Sequence, residues 1–229
     1  MRRRVIAIIQ PVYLPWLGYF DKIDRADVFV ILDTVQYKKN EFQNRNKIKT
    51  GQGWQWLTVP VKYHFPQTIE EVPINNTVNW THKHNQALLS NYAKSPYFSA
   101  YKDFFETMFA KDWEWLTDLN THTVTGLMEC LGISTPVECV KSWELSEDPT
   151  GRLVDICKQT GAETYLSGAG GQGYLDMPQF EAAGIEVIFQ AYQHPEYAQR
   201  FGDFEPYMSV VDLLFNGGPE SLKIIRSGR

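Results

Sequence analysis

The chain has 229 residues, of which 43% are hydrophobic and 21% charged, a balance that excludes a wholly disordered protein. Its length suffices for one domain with a substantial core, and aromatic residues reach 14%, enough to fill that core or to line a site for flat ligands. The formal net charge of -5 argues against a nucleic-acid partner, because general nucleic-acid-binding proteins need an excess of cations.

Short apolar runs separated by helical patterns predict an α/β protein. Val5–Ile9 is a β-branched run typical of a strand buried on both faces. A short helical segment and a second apolar run at 26–32 follow it, and this βαβ unit predicts a parallel sheet with a right-handed crossover. The remaining strands are predicted over 54–61, 69–74, 164–166 and 185–189, and helices over 149–160, 179–183 and 210–215.

The stretch from 81 to about 131 has helical periodicity, and Gly132 suits the cap at its end. The chain shows no internal repeat, low-complexity tract or linker. We therefore predict one α/β domain over residues 1–229, with a Rossmann-like, mostly parallel sheet and a helical insertion at about 80–131.

The sequence predicts a cytoplasmic protein without a membrane span. No apolar run approaches the roughly 20 residues that a membrane-spanning helix needs, and the run after the basic residues at 2–4 is too short for a signal peptide. The three cysteines lack CxxC spacing and are odd in number, which predicts neither a disulfide framework nor a zinc site. His82 and His84 are two residues apart and cannot share a helical face, so no metal site is predicted.

A cationic stretch follows the second predicted strand, at residues 34–53. The first 50 residues hold 10 of the 22 Lys and Arg but only 5 of the 27 Asp and Glu, so positive charge is concentrated in an acidic chain. A solvent-exposed loop is the ordinary explanation. However, the stretch leaves the carboxyl end of a strand, where open α/β sheets bind ligands, and it mixes amides with cations, as phosphate and sugar sites do. The candidate binding residues are Gln36, Lys38, Asn44, Arg45 and Lys47.

Residues 10–16 leave the first predicted strand at the same edge of the sheet. Two prolines and two aromatic rings within seven residues predict a rigid turn with a flat apolar wall, and a packed turn that supports the following helix is the alternative. The candidate binding residues of this segment are Gln10, Tyr13 and Trp16.

Two later segments also follow predicted strands. Residues 167–173 are rich in glycine, which lets a backbone approach a phosphate closely, so Ser167 and Gly168 are candidate binding residues. The GxGxxG and P-loop patterns are absent, and a tight connection between a strand and the next helix is the alternative. His194 has polar neighbours that could orient it for acid–base chemistry, although core or surface histidines are the more common case.

Taken together, these residues resemble the WbqC-like protein family over nearly the whole chain. The resemblance is carried by QPVYLPWLGYF at 10–20, LDTVQY at 32–37, QNRNKI at 43–48, KH at 83–84, YLSG at 165–168, HPEY at 194–197 and SVVDLLFNGG at 209–218. The layout of the first two strands also resembles pantothenate synthetase, of the nucleotidyltransferase-like Rossmann group. The HxGH signature of that group is absent, and LPWLG at 14–18 stands in its place.

The family is associated with bacterial surface-polysaccharide and O-antigen gene sets, so the resemblance implies an enzyme that acts on amino sugars carried by nucleotides. The favoured hypothesis is a transferase of O-antigen and lipopolysaccharide biosynthesis. It would acylate or aminoacylate the amine of a nucleotide-linked amino sugar, with an acyl thioester on CoA or on an acyl carrier protein as donor.

This hypothesis gives each candidate residue a role. The diphosphate is assigned to the cations Arg45, Lys47 and Lys38, arginine being preferred for bidentate contact. Stacking on the base or sugar is assigned to Tyr13 and Trp16, and hydroxyl recognition to Asn44 and Gln36. The base that takes the amine proton is either His194 or His84.

Two alternatives remain open at this point. In the first, residues 167–173 cradle the phosphates of ATP in an acyl-activating, nucleotidyltransferase-like enzyme that forms an acyl-adenylate. In the second, the aromatic surplus serves a non-catalytic module that binds sugar nucleotides.

Overall fold

The computed structural model describes residues 3–229, and in these residues a five-stranded parallel sheet forms the centre of the molecule. Its strands are β1 (Val5–Ile9), β2 (Val28–Ile31), β5 (Val137–Cys139), β6 (Thr164–Ser167) and β7 (Glu186–Phe189). They lie in the order β5-β2-β1-β6-β7, with every neighbouring pair parallel. This is the strand order of one Rossmann-type sheet, so the predicted Rossmann-like α/β fold is confirmed.

Helices cover both faces of the sheet. They are α1 (Leu17–Arg25), α2 (Trp80–Tyr92), α3 (Phe98–Ala110), α4 (Leu116–Leu131), α5 (Pro149–Thr160), α6 (Met177–Ala182), α7 (Val210–Gly217) and α8 (Ser221–Arg226). Short 3-10 helices lie at Ile69–Glu71, Ala169–Gly173 and Gly218–Glu220. No helix in the described part of the chain is long and apolar enough to span a membrane.

The central strands are apolar on both faces because each face is covered by a different set of helices. Ile6 and Val28 belong to a core that includes residues of α5 and α6, whereas Ala7 and Phe29 belong to a larger core with α1, the α2–α4 helices and α7. The alternation of side chains along a strand sends successive residues to opposite cores. The sheet is therefore buried on both sides, as its β-branched runs predict.

Glycine ends two of the long helices as the sequence predicts. Gly132 and Gly161 follow α4 and α5 with φ of 74° and 65°, a left-handed conformation that other residues adopt only with strain. At the other end of α5, the Asp148 carboxylate accepts a hydrogen bond from the Gly151 backbone N–H at 2.7 Å.

Two predicted elements are wrong. Residues 69–74 do not form a strand but begin with the 3-10 helix Ile69–Glu71. The stretch 34–53 is not a loop throughout, because Arg45–Thr50 is a strand, β3, which pairs antiparallel with β4 (Gly53–Thr58) in a hairpin outside the main sheet. Ile48 is the only aliphatic side chain in β3, and this low hydrophobicity hid the strand.

Candidate functional site

A cleft of about 260 Å³ opens beside the β3–β4 hairpin and the chain that follows β2. We call it the hairpin cleft. It is lined by Tyr37, Lys39, Asn40, Asn44, Arg45, Thr58, Val59, Pro60, Val61 and Tyr63. Polar and cationic side chains thus lie beside apolar ones from the end of β4, as they do in small-molecule sites, and the volume is just below the usual range of about 300–1,000 Å³ for such sites.

Successive side chains of β3 point to opposite faces of the hairpin, so its three cations lie on one face, together with the tryptophans of β4. Lys47 pairs with Trp56 and Lys49 with Trp54 across the two strands. The Arg45 guanidinium lies 4.4 Å from the Trp56 ring centroid, and the Lys47 ammonium lies 4.7 Å from that of Trp54. Both indoles are exposed. The result is a cationic and aromatic surface that can bind anions and stack on flat groups.

Two buried polar atoms of the hairpin cleft have no hydrogen-bond partner. The Asn44 side chain is 8% exposed, and its Nδ2 donates to the Val59 carbonyl at 2.8 Å while its Oδ1 accepts nothing. The Arg45 guanidinium donates to the Asn40 carbonyl, but its Nε–H donates to nothing. Leaving such atoms unpaired costs about 1–3 kcal/mol each, so a ligand that reached both atoms and supplied their partners would be bound favourably.

Two tyrosines complete the hairpin cleft. The rings of Tyr37 and Tyr63 lie 4.8 Å apart between centroids. Burial raises the pKa of Tyr37 to about 12, with a contribution from Tyr63 and opposition from the Arg45 charge. The Tyr37 hydroxyl is therefore neutral at physiological pH and can donate a hydrogen bond to a ligand.

His194 is enclosed by aromatic rings on the flank of the hairpin. Trp16 stacks on the imidazole at 6.1 Å between centroids, and Tyr207 packs edge-on at 5.2 Å. His194 Nδ1 lies 2.9 Å from the Pro195 carbonyl, which can only accept, so Nδ1 carries the proton. Nε2 is buried without a partner, and burial lowers the ring pKa. The neutral ring thus has a lone pair on Nε2 that accepts no hydrogen bond.

Gly18 allows Trp16 to take this position. A Cβ on Gly18 would lie 2.3 Å from the Trp16 indole, closer than any side chain could approach. Close packing therefore requires glycine at position 18 of the PWLGYF motif. Gly18 in this way leaves room for the Trp16 indole, which covers His194.

His84, the other candidate base, lies in the core at 5% exposure. Its Nδ1 is 2.8 Å from the Tyr13 hydroxyl, and the backbone of Thr58 also hydrogen-bonds the ring. Burial lowers the pKa of His84 to about 4. Tyr13 is itself fully buried, so this pair joins α2 to the turn after β1.

The other predicted residues lie near the carboxyl edge of the sheet. Gln10 Oε1 accepts from Gln43 Nε2 at 2.7 Å, and Gln36 Nε2 donates to the Gln67 carbonyl at 2.9 Å. Lys38 is exposed. Ser167 is buried at the end of β6, where its hydroxyl donates to the carbonyl of Gly168 at 3.2 Å.

The structure therefore brings the predicted residues together in three groups rather than in one pocket. Asn44 and Arg45 line the hairpin cleft, with Lys47 on the adjoining face. Trp16 and His194 form a second group, and Tyr13 and His84 a third. Within the described residues 3–229, the side chains around the hairpin cleft include neither histidine.

A buried polar network attaches the loop that carries His194 to the hairpin. Asp212, fully buried in α7, accepts hydrogen bonds from the hydroxyls of Tyr92 at 2.8 Å and Tyr197 at 2.9 Å. The Lys49 backbone N–H donates to the Tyr92 hydroxyl at 2.9 Å, and the Lys49 ammonium donates to Gln199 Oε1 at 3.1 Å. Burial raises the pKa of Asp212, opposed by these donors. The second group is thereby held against β3.

Sequence reasoning missed several residues of the site, namely Tyr37, Lys49, Trp54, Trp56, Tyr63 and Asp212. The alternation of cations at 45, 47 and 49 and of tryptophans at 54 and 56 was the available signal, since a period of two places each set on one face of a strand. No group of three or more His, Cys, Asp or Glu residues in the described range 3–229 is placed to hold a metal ion.

A Rossmann-like sheet with a cationic, aromatic hairpin beside its carboxyl edge defines the structural class of this protein as an α/β protein with a polar cleft at the hairpin. The chain matches the model of the WbqC-like protein family over residues 10–224, and it belongs to that family. It is 39% identical over 225 residues to "Uncharacterized protein Rv1507c" of Mycobacterium tuberculosis (strain ATCC 25618 / H37Rv), a similarity that covers 96% of this chain and 97% of the relative. No solved structure matches the chain significantly.

Proposed function

We propose that this protein is a cytoplasmic transferase of bacterial surface-polysaccharide (O-antigen) biosynthesis that acylates or aminoacylates the amine of a nucleotide-linked amino sugar. The observation that carries the proposal is the pair of unpartnered atoms in the hairpin cleft, Asn44 Oδ1 and Arg45 Nε. One is an acceptor for a hydroxyl or amine, and the other is a charged donor for a phosphate. The association of the family with surface-polysaccharide gene sets supports the pathway.

The diphosphate of the substrate would bind to the cations of the hairpin. Arg45 is fixed by its contact with Trp56 and by its bond to the Asn40 carbonyl, so little side-chain entropy is lost when its remaining N–H groups bind an anion. Lys47 lies on the same face, two residues along β3. The exposed rings of Trp54 and Trp56 would stack on the base or sugar.

His194 is the residue we assign to the amine proton. It lies in the group with Trp16 and not among the residues that line the hairpin cleft, so the sugar amine would have to extend from the cleft to this ring. The ring is neutral, its proton is fixed on Nδ1 by the Pro195 carbonyl, and Nε2 has a free lone pair. His84 is less suited, because its ring is already hydrogen-bonded to Tyr13 and Thr58 within the core. A general base of this kind contributes about 100-fold or more to the rate.

The second substrate of the transfer would be an acyl thioester of CoA or of an acyl carrier protein. The amine nitrogen attacks the thioester carbonyl and forms a C–N bond, while His194 Nε2 takes the amine proton. The C–S bond then breaks, and the departing thiolate receives that proton. The products are an N-acylated nucleotide sugar and a free thiol.

The test is to incubate the purified protein with nucleoside-diphosphate-linked amino sugars and acyl thioesters and to follow the sugar nucleotide by mass spectrometry. We expect a mass increase equal to the acyl group. Arg45→Gln should raise KM for the sugar nucleotide about 10-fold or more, since it removes a charge-assisted contact. Lys94→Gln, at an exposed lysine after α2, is the matched control for lost charge and should leave KM unchanged.

Two results would contradict the proposal. Binding of sugar nucleotides without product from any donor would favour a non-catalytic binding module. Turnover with equal KM in wild type and Arg45→Gln would remove the hairpin cleft as the substrate site.

A further inference from the structure

A second cleft, which we call the strand-end cleft, lies where β2 and β5 end at one side of the sheet. Its volume is about 560 Å³, within the range of small-molecule sites. Asp33 lines it from the chain directly after β2, and Trp113, Trp115 and Thr117 line it from the start of α4 and the turn before it. These residues are separate from those of the hairpin cleft.

Asp33, which lines this cleft, has a hydrogen-bond acceptor without a partner. Its side chain is 1% exposed, and its Oδ2 accepts from the Thr117 hydroxyl at 2.7 Å. Its Oδ1 is buried and accepts nothing. A carboxylate held in this way is unfavourable unless a donor pairs with it, and a positively charged donor also offsets the buried charge. The missing partner is therefore a donor, and preferably a cation.

The charges around the strand-end cleft favour a cation as well. Four carboxylates line it against two lysines: Asp33, Asp112, Glu114, Asp118, Lys111 and Lys141. Burial raises the pKa of the Cys139 thiol, which also lines the cleft; the charge of Asp33 raises this pKa further, and that of Lys141 lowers it. The charge of Asp33 therefore acts on this part of the cleft, opposed by Lys141.

The walls can accommodate an ammonium group and hydroxyls. The Lys111 ammonium already lies 4.1 Å from the Trp113 ring centroid, and the ring of Trp115 is 37% exposed beside it. Thr121 and Thr125 also line the cleft, one turn apart on α4. A volume of this size fits an organic molecule much better than a bare metal ion.

We propose that the strand-end cleft binds a small hydroxylated molecule with a primary ammonium group, which donates a hydrogen bond to Asp33 Oδ1. Hydroxyls of the same molecule bind the threonines of α4, and its apolar face lies against Trp115. The assignment concerns residues that take no part in the acyl transfer proposed above, so it does not depend on that function.

The experiment is isothermal titration of the full chain with D-glucosamine and with D-glucose, two ligands that share their hydroxyls but differ in the ammonium group. We expect D-glucosamine to bind at least 10-fold more tightly than D-glucose. Asp33→Asn, which keeps the size of the side chain and a bond to Thr117, should weaken D-glucosamine about 10-fold or more. Asp103→Asn, at an exposed carboxylate on α3, should have no effect.

Further variants locate the ligand. Asn44→Ala removes the free acceptor of the hairpin cleft and should leave D-glucosamine binding unchanged. Trp115→Ala, at an exposed ring, should weaken it without unfolding the chain, and circular dichroism checks each variant. Absence of D-glucosamine binding at tens of millimolar, equal binding of the two sugars, or loss of binding in Asn44→Ala but not in Asp33→Asn would each overturn the proposal.

Discussion

Replacing Asp212 by alanine tests whether the buried network holds the His194 loop against the hairpin. The carboxylate is fully buried and accepts two tyrosine hydroxyls, at 2.8 and 2.9 Å. A hydrogen bond to a charged group is worth about 1.5–3 kcal/mol, so two such bonds are worth about 3–6 kcal/mol. Release of the buried charge offsets part of this loss. We expect Asp212→Ala to lower the free energy of unfolding by about 3–5 kcal/mol.

Urea denaturation followed by circular dichroism measures this loss. Asp103→Ala is the matched control, because that carboxylate is 84% exposed and its contact with Lys102 is a surface ion pair worth little. Asp212→Asn keeps one acceptor and should fall between the two. If Asp212→Ala changed the unfolding free energy by no more than about 0.5 kcal/mol relative to the control, the network would not support the loop as argued.

Two further predictions follow from the packing around the histidines. Because the pKa of His84 is about 4 in the folded protein and 6.5 in the unfolded chain, only the unfolded chain binds this proton between those two pH values. The free energy of unfolding should therefore fall by about 3 kcal/mol as the pH is lowered from 6.5 to 4. His84→Gln should flatten this part of the pH dependence. An NMR titration of the His84 ring with a midpoint near pH 6.5 would contradict this. Gly18→Ala should displace Trp16 and lower the thermal stability, with an unfolding cost of about 1–3 kcal/mol, and it should also slow the transfer reaction proposed above. Gly170→Ala, whose Cβ would meet no atom within 4 Å, should do neither. Equal melting temperatures and rates in the two glycine variants would refute the packing argument.

The sheet was predictable because its strands carry an unambiguous pattern. Val5–Ile9 is a continuous β-branched run, and the observed β1 has the same bounds. The glycines after α4 and α5 were equally clear, since only a left-handed residue closes those helices in the way observed. β5 has only three residues and no flanking signal of its own, so its place at the sheet edge depends on tertiary pairing with β2.

The sequence indicated candidate side chains for a site, but not how the fold groups them. Cations mixed with amides predict a binding site in the chain after β2, and of the residues predicted there Asn44 and Arg45 line the hairpin cleft. What the sequence could not reveal is which side of the hairpin each residue faces, because β3 was hidden in a polar stretch. The burial of His84 against Tyr13 depends on where α2 packs, which is a long-range property of the fold.

The sequence motifs by which the family is recognised contact one another, although they lie far apart in the chain. The backbone of Trp16 pairs with that of Ser209, and the Val210 N–H donates to the Pro15 carbonyl at 2.8 Å. The first and last motifs are thus joined by backbone contacts, which we call the seam. The Ser209 N–H also donates to the carbonyl of Lys47 at 2.8 Å, which joins the hairpin to that seam. These two long motifs thus support the hairpin through their backbone, and the short motif QNRNKI between them supplies Asn44 and Arg45 to the cleft. Substitutions in the seam should therefore alter ligand binding through the position of β3, even where they touch no ligand.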